Sequence, residues 1–291
     1  MMRLRSLLFV PGDSTRKLLR ARDSAADALI LDLEDAVADA RKGIARSTAA
    51  AFLQSAHPKS RPALFVRVNP LDTPHCLADL AAVVGPGLDG IVLPKANGIE
   101  DVTRLGHHLD ALEARAGMAP GSVGILVVAT ETAAALLNVR GYRRAHARLL
   151  GLTWGAEDLS AALGASTNRR EDGALADVYR LARAACLLGA AAAAVAPIDT
   201  LYADFRDAEG LERDCIASRR QGFAGRIAIH PAQVDTINRC YSPSDEDLAF
   251  ARRVVDAFAA APEAGTIGID GRMYDRPHLT QARRVLAAAQ A

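Results

Sequence analysis

The chain has 291 residues, half of them apolar, and its 35 Lys and Arg against 34 Asp and Glu leave a formal charge of +1. That length is generous for one ordinary domain but suits a (β/α)8 barrel, and the apolar fraction supplies a large core without staples. No block of one sign stands out, so the clustered basic face that nucleic acid requires is missing, and no apolar run approaches the ~20 residues of a membrane span.

At the N-terminus, Arg3 and Arg5 precede "LLFV", an apolar run too short for a signal peptide. Cys76, Cys186, Cys215 and Cys240 are scattered and form no C-x-x-C pair, which reads as four reduced thiols rather than a zinc site or a disulfide framework. A soluble, cytoplasmic protein is expected. Eight short apolar runs then recur: 6–10, 28–33, 63–68, 90–95, 124–130, 149–154, 192–198 and 226–231. Most are continuous rather than alternating, as strands buried on both faces are. The alanines of the seventh run equally suit an extension of the helix before it. The intervening segments carry helical spacing, for example Val178, Leu181, Ala185 and Leu188.

Eight strands alternating with helices predict a closed (β/α)8 (TIM) barrel. The rival, an open doubly wound sheet for a dinucleotide, lacks a G-x-G-x-x-G after the first strand. Residues 1–231 are therefore assigned to the barrel and 232–291 to a C-terminal extension of the same functional unit. In that extension Ser244 and the acids Asp245, Glu246 and Asp247 open a helix. A hairpin around Asp270-Gly271 follows, then a helix opened by Pro277. A barrel does not need this tail, which is expected to act as a lid.

In such barrels chemistry sits at the C-terminal ends of the strands. Reading those ends in turn gives Pro11-Gly12-Asp13, then Asp32, Glu34 and Asp35, then Arg67 and Asn69, then Lys95. Glu131, Glu157 and Asp158, Pro197 and Asp199, and His230 complete the set. The carboxylates Asp32, Glu34, Asp35, Glu131, Glu157 and Asp158 would repel one another at one mouth unless a cation or a proton neutralises them. An all-oxygen set suits a hard ion such as Mg2+. For Asp35 and Glu157 helix capping is the competing role.

Arg67 stands inside an apolar strand, where an unpaired charge is costly. It either pairs with one of these acids or grips a substrate oxygen. In "PGDSTRKLLRARD", Asp13 or Ser14 is placed to cap a helix whose first turns carry Arg16, Lys17 and Arg20. Cations there oppose the helix dipole, so a phosphate-bearing ligand competes with a merely solvated basic face. His107-His108 reads as solvated, Trp154 as barrel core, and His230 as either ligand contact or mouth support. Neither a G-x-S-x-G elbow nor a P-loop is present.

Taken together, "LFVPGDSTRKLLRA", "LILDLEDAV", "FVRVN", "IVLPKA", "ATETAAALLN", "TWGAEDLSAALGA", "DFRDAEGL", "AIHPAQV" and "DGRMYDRPHLTQAR" resemble the citrate lyase beta-subunit-like family. That family lies within the HpcH/HpaI superfamily of metal-dependent aldolases and CoA-ester lyases, with malyl-CoA and citramalyl-CoA lyases. The resemblance spans essentially the whole chain. It implies a barrel assembled as a trimer or a multiple of one, and Mg2+ on Glu131 and Asp158 with Glu34 and Asp35 near it through water. It places Arg67 on the oxygens of the substrate, with Phe9, Arg16, Arg20, Ile229 and His230 along coenzyme A and its thioester. Asp275 matches an acid supplied by a neighbouring subunit. The activity implied is cleavage or formation of a 3-hydroxyacyl-CoA, giving an acyl-CoA and a 2-oxo acid. A citrate lyase beta subunit acting on an acyl-carrier-protein thioester, or a catalytically idle binding subunit, are the alternatives.

Overall fold

Each of the eight apolar runs contributes a strand in the computed structural model, which describes residues 2–55, 62–144 and 146–290. The strands are β1 (Ser6–Pro11), β2 (Ala28–Asp32), β3 (Ala63–Arg67), β4 (Gly90–Leu93), β5 (Gly124–Val128), β6 (Leu149–Thr153), β7 (Ala196–Asp199) and β8 (Gly225–Ala228). Every strand pairs in parallel with its sequence neighbours, and β1 also pairs with β8, so the sheet closes on itself.

Alternate residues of each strand face opposite ways, and both ways lead into apolar packing. Leu7, Ile30, Phe65, Val92, Leu126, Ile198 and Ile227 fill the barrel interior. Leu8, Leu29, Leu31, Leu64, Val66, Ile91 and Val127 pack outward against the helices. This two-sided burial is why the runs are continuous. The interior also depends on a missing side chain: a Cβ on Gly90 would lie 2.5 Å from the Phe65 ring.

The strands stop one to three residues before several of the expected ends, because the last residues of those runs leave the ladder to build the mouth loops. The seventh run departs most. Its alanines complete the helix Asp177–Ala193, and the strand begins only at Ala196. Alanine is the best helix former and lacks the branched surface that favours strands. The helix closes where Ala194 turns left-handed, at φ 57°.

Beyond the barrel, the helix Asp245–Ala260 opens with a reciprocal cap: Ser244 Oγ accepts from the Asp247 N–H, and Asp247 accepts from the Ser244 N–H. Asp247 also meets Arg219 at 2.9 Å, which ties this helix to the barrel. The hairpin forms as expected from β9 (Thr266–Ile269) and β10 (Arg272–Asp275), with Asp270 and Gly271 both at positive φ. The hairpin buries Ile269, which joins Ala251, Val254, Phe258, Leu279 and Ala282 in a small separate core. Among the described residues no helix is long and apolar enough to cross a membrane.

Candidate active site

The acidic end of β2 is held open by its own backbone contacts. Asp32 accepts N–H groups from Glu34 and Ala36 and two forked hydrogen bonds from Arg67, from Nε and Nη2, each at 2.7 Å. Buried Lys42 donates to the carbonyls of Leu33 and Glu34, and Asn69 donates to that of Leu33. These bonds turn Glu34 inward, where it is 3 % exposed, and leave Asp35 largely in solvent.

Arg67 therefore does pair with the acids. Besides Asp32, its Nη1 lies 2.9 Å from Glu34, and the guanidinium rests 4.6 Å above the centre of the Phe9 ring. Two of its five N–H groups are committed to Asp32. The rest of the fork faces the cleft that Arg67 lines together with Glu131, Thr153, Trp154, Gly155 and Asp158.

Glu131 follows β5 and is 3 % exposed. Thr132, rather than Glu131, caps the next helix by accepting the Ala135 N–H, so the carboxylate is free of that duty. Burial foremost, reinforced by the charges of Asp158 and Glu34 against the pull of Lys95, pushes Glu131 up to about 8. Burial likewise raises Glu34, more than Arg67 and Lys95 draw it back. Gly155 admits Glu131 to this position, since a Cβ there would stand 3.0 Å from Glu131 Cγ. Asp158 lies in the first turn of the helix Ala156–Leu163. Glu157 beside it is no side-chain cap and accepts instead from Asn168.

Lys95 is the residue whose importance the sequence concealed. It ends the β4 loop in the left-handed region, at φ 49°. Its N–H donates to Glu131 at 2.5 Å, while its ammonium meets Glu34 at 2.5 Å, Asp158 at 3.1 Å and Asp35 at 3.3 Å. Burial draws the ammonium down, but Glu34 and Asp158 outweigh it and hold it above the ordinary lysine value. Position after a strand was the available signal; the backbone geometry was not legible.

Five carboxyl groups (Asp32, Glu34, Asp35, Glu131 and Asp158) thus share two cations, Arg67 and Lys95. Among the described residues no three His, Cys, Asp or Glu side chains enclose a single point as a metal cage. What the mouth offers is two facing carboxylates, open solvent and a surplus of negative charge. That fits Mg2+, which keeps most of its waters and takes one or two protein carboxylates.

A basic groove adjoins the mouth. Phe9, Arg16, Lys17, Arg20, Ile229 and His230 line it, and Phe9 lines the acidic cleft as well. The three cations are exposed and make no ion pair among the described residues, and no acid stands in their helix's first turn. His230 accepts the Ala232 N–H and stacks on Phe205 at 4.6 Å, so it supports the mouth while lining the groove. Phe205, which stands in the "DFRDAEGL" motif, carries Arg206 over its ring.

The capping expectation after β1 needs correction. Ser14 occupies the cap position of the helix Thr15–Arg22 but makes no side-chain cap, and Asp13 is held by Arg41 at 2.6 Å. Asp199, at the end of β7, lines the same cleft but is ringed by Arg183, Arg226, Ser218 and Trp154. Burial would raise it, but Arg226 and Arg183 hold it at about 2. Trp154 is buried as expected, yet its indole N–H serves that carboxylate and its ring lines the cleft. Asp275 is not among the residues that line the cleft and pairs with His278 at 2.5 Å.

A family model described as HpcH/HpaI aldolase/citrate lyase matches residues 5–231. The chain belongs to that family. Its relatives include a (3S)-malyl-CoA thioesterase from Cereibacter sphaeroides (strain KD131 / KCTC 12085), 38 % identical over 99 % of this chain and 95 % of that protein. The citrate lyase subunit beta of Escherichia coli (strain K12) is 35 % identical over 98 % of this chain and 93 % of its own. Among solved structures, the protein CitE from Mycobacterium tuberculosis in complex with magnesium, acetoacetate and coenzyme A superposes with a TM-score of 0.79. It is 35 % identical, covering 99 % of this chain and 98 % of that one. Family members act on CoA esters as lyases or thioesterases.

Proposed function

We propose that this protein is a Mg2+-dependent carbon–carbon lyase that cleaves, or forms, a 3-hydroxyacyl-CoA of the malyl-CoA or citramalyl-CoA type. The products are an acyl-CoA and a 2-oxo acid. The observation that carries the reading is the junction at Phe9, where a groove lined by Arg16, Lys17 and Arg20 meets a mouth with Glu131, Asp158 and Arg67. A phosphate-rich carrier fits the first and a small oxygen-rich acid the second. The CitE structure, with magnesium, acetoacetate and coenzyme A together, supports the same division.

Glu131 and Asp158 would hold Mg2+, with Glu34 and Asp35 placed to accept from its waters. Bound there, the ion supplies Lewis-acid polarisation of the hydroxy- or oxo-acid oxygens. Arg67 donates from the free part of its fork to the oxygen on which charge develops as the C–C bond breaks, with Asp32 and Phe9 fixing its plane. The substrate hydroxyl gives its proton to a carboxylate of the mouth as its C–O becomes the carbonyl of the oxo acid, the C–C bonding pair passes to the thioester α-carbon, and a proton delivered there completes the acyl-CoA. Asp275 of a neighbouring copy is the acid assigned to that transfer, which requires a homo-oligomer. Glu131 must surrender its proton to act as a ligand.

A second reading, hydrolysis of the thioester, is favoured by the malyl-CoA thioesterase relatives. The test is a panel of hydroxyacyl-CoA esters with Mg2+. Release of a 2-oxo acid that stops on addition of chelator is expected, and turnover indifferent to chelator overturns the reading.

A further inference from the structure

Lys95 contacts both candidate metal ligands, and the proposed reaction leaves those contacts unexplained. It holds a left-handed backbone, which is strained for a residue with a side chain, and such strain persists only where surrounding contacts enforce it. A glycine or asparagine would adopt that turn at lower cost. The turn lets one residue reach both candidate metal ligands, Glu131 through its N–H and Asp158 through its ammonium. The ammonium also touches Glu34 and Asp35, the two acids placed to accept from the ion's waters.

We infer that Lys95 is a resident counter-cation: it occupies the cation position of the metal-free mouth through Asp158 and Glu34, and Mg2+ enters by displacing its ammonium from Asp158. The inference rests on the metal assignment made above. Asp158 accepts from Lys95 at 3.1 Å, and a divalent ion on the same carboxylate would stand within a few ångströms of a second positive charge. The two cations repel each other at that distance, so the ion weakens the ammonium's hold on Asp158. Glu34 gives the displaced ammonium a place to stay, since its carboxylate already meets Lys95 at 2.5 Å. The arrangement keeps the carboxylates from driving one another apart before metal arrives, and it lowers metal affinity by the strength of the contact given up.

Full-length protein, stripped with chelator, tests this by titration with Mg2+ in a calorimeter and with Mn2+ by electron paramagnetic resonance. Lys95→Met should bind Mg2+ tighter by about tenfold or more, because no cation has to leave. Its melting temperature should fall below wild type without metal, and the gap should narrow with Mg2+ saturating. Unchanged or weaker affinity overturns the inference. Glu131→Gln, run alongside, separates the two levels. If it loses Mg2+ while Lys95→Met binds as wild type does, only the role of Lys95 falls. If Glu131→Gln binds Mg2+ as tightly as wild type, the metal assignment falls and this inference with it. Should Lys95→Met fail to fold, a wild-type crystal with Mn2+ decides: Nζ must lie beyond hydrogen-bonding distance of Asp158, and Nζ still bonded to Asp158 beside the metal overturns the displacement.

Discussion

Replacing Glu131 with glutamine removes a charge from the most crowded point of the mouth while keeping an oxygen to accept the Lys95 N–H. In the metal-free protein the buried carboxyl is pushed up to about 8, against 4.5 for an ordinary glutamate. Between those values the folded chain holds a proton that the unfolded chain has released, so unfolding free energy falls as pH rises. At 1.36 kcal/mol per pH unit, the cost accumulated by pH 7 is about 3 kcal/mol. Glutamine carries no such cost. Urea unfolding in the presence of chelator, repeated from pH 5 to pH 8, should show wild type losing stability with pH relative to Glu131→Gln. The variant should be the more stable of the two by about 3 kcal/mol near pH 7. Taking the difference between the proteins cancels the other titrating groups. Parallel curves would refute the reasoning, because they would mean that Glu131 ionises in the folded protein as freely as in the unfolded one.

Arg67→Lys keeps the charge but loses the planar fork that Asp32 grips; turnover should fall at least a hundredfold, on the order of one transition-state donor, while coenzyme A binds as before. If coenzyme A affinity falls equally, Arg67 serves the nucleotide end. Neutralising Arg16 and Arg20 together should weaken binding of CoA esters and flatten its salt dependence, with each charge-assisted contact worth about 1.5–3 kcal/mol. Short pantetheine thioesters should be almost unaffected, and equal losses for both ligands count against phosphate binding in the groove. Asp275→Asn and Glu131→Gln should each be nearly inactive alone yet partly restore activity when co-assembled, since some mouths then combine an intact metal pair with an intact neighbouring tail. Mixed assemblies that form but stay dead would place Asp275 in its own chain's chemistry or in none.

The barrel was legible because burial on both faces writes strands as unbroken apolar runs, and eight of them alternate with helices. Where the run was alanine, between 192 and 194, that signal failed: alanine serves helix and strand alike, and the helix took the first two positions. The mouth residues were legible as polar groups ending apolar strands, but their partners were not. Glu131 and Asp199 look alike in sequence, each a carboxylate at a strand end. Both line the cleft, but one stands among acids and the other is gripped by Arg183 and Arg226. Which partners a side chain meets depends on where the strand leaves the ladder, and that is settled by neighbouring strands rather than by local residues. Lys95 is hidden for a related reason, since its reach to four acids follows from a left-handed turn that no residue type at that position announces. The basic groove was easier, because Arg16 and Arg20 lie four apart on one short helix and needed only β1 and the loop after β8 to complete it.

The central claim is that the mouth breaks a carbon–carbon bond and leaves the thioester intact. The direct measurement is the product balance from malyl-CoA with saturating Mg2+, followed by chromatography of the acids and titration of free thiol. Glyoxylate and acetyl-CoA should form in equal amounts, with no free thiol beyond the uncatalysed background. Malate and free coenzyme A in equal amounts, with no glyoxylate at any time, would contradict it.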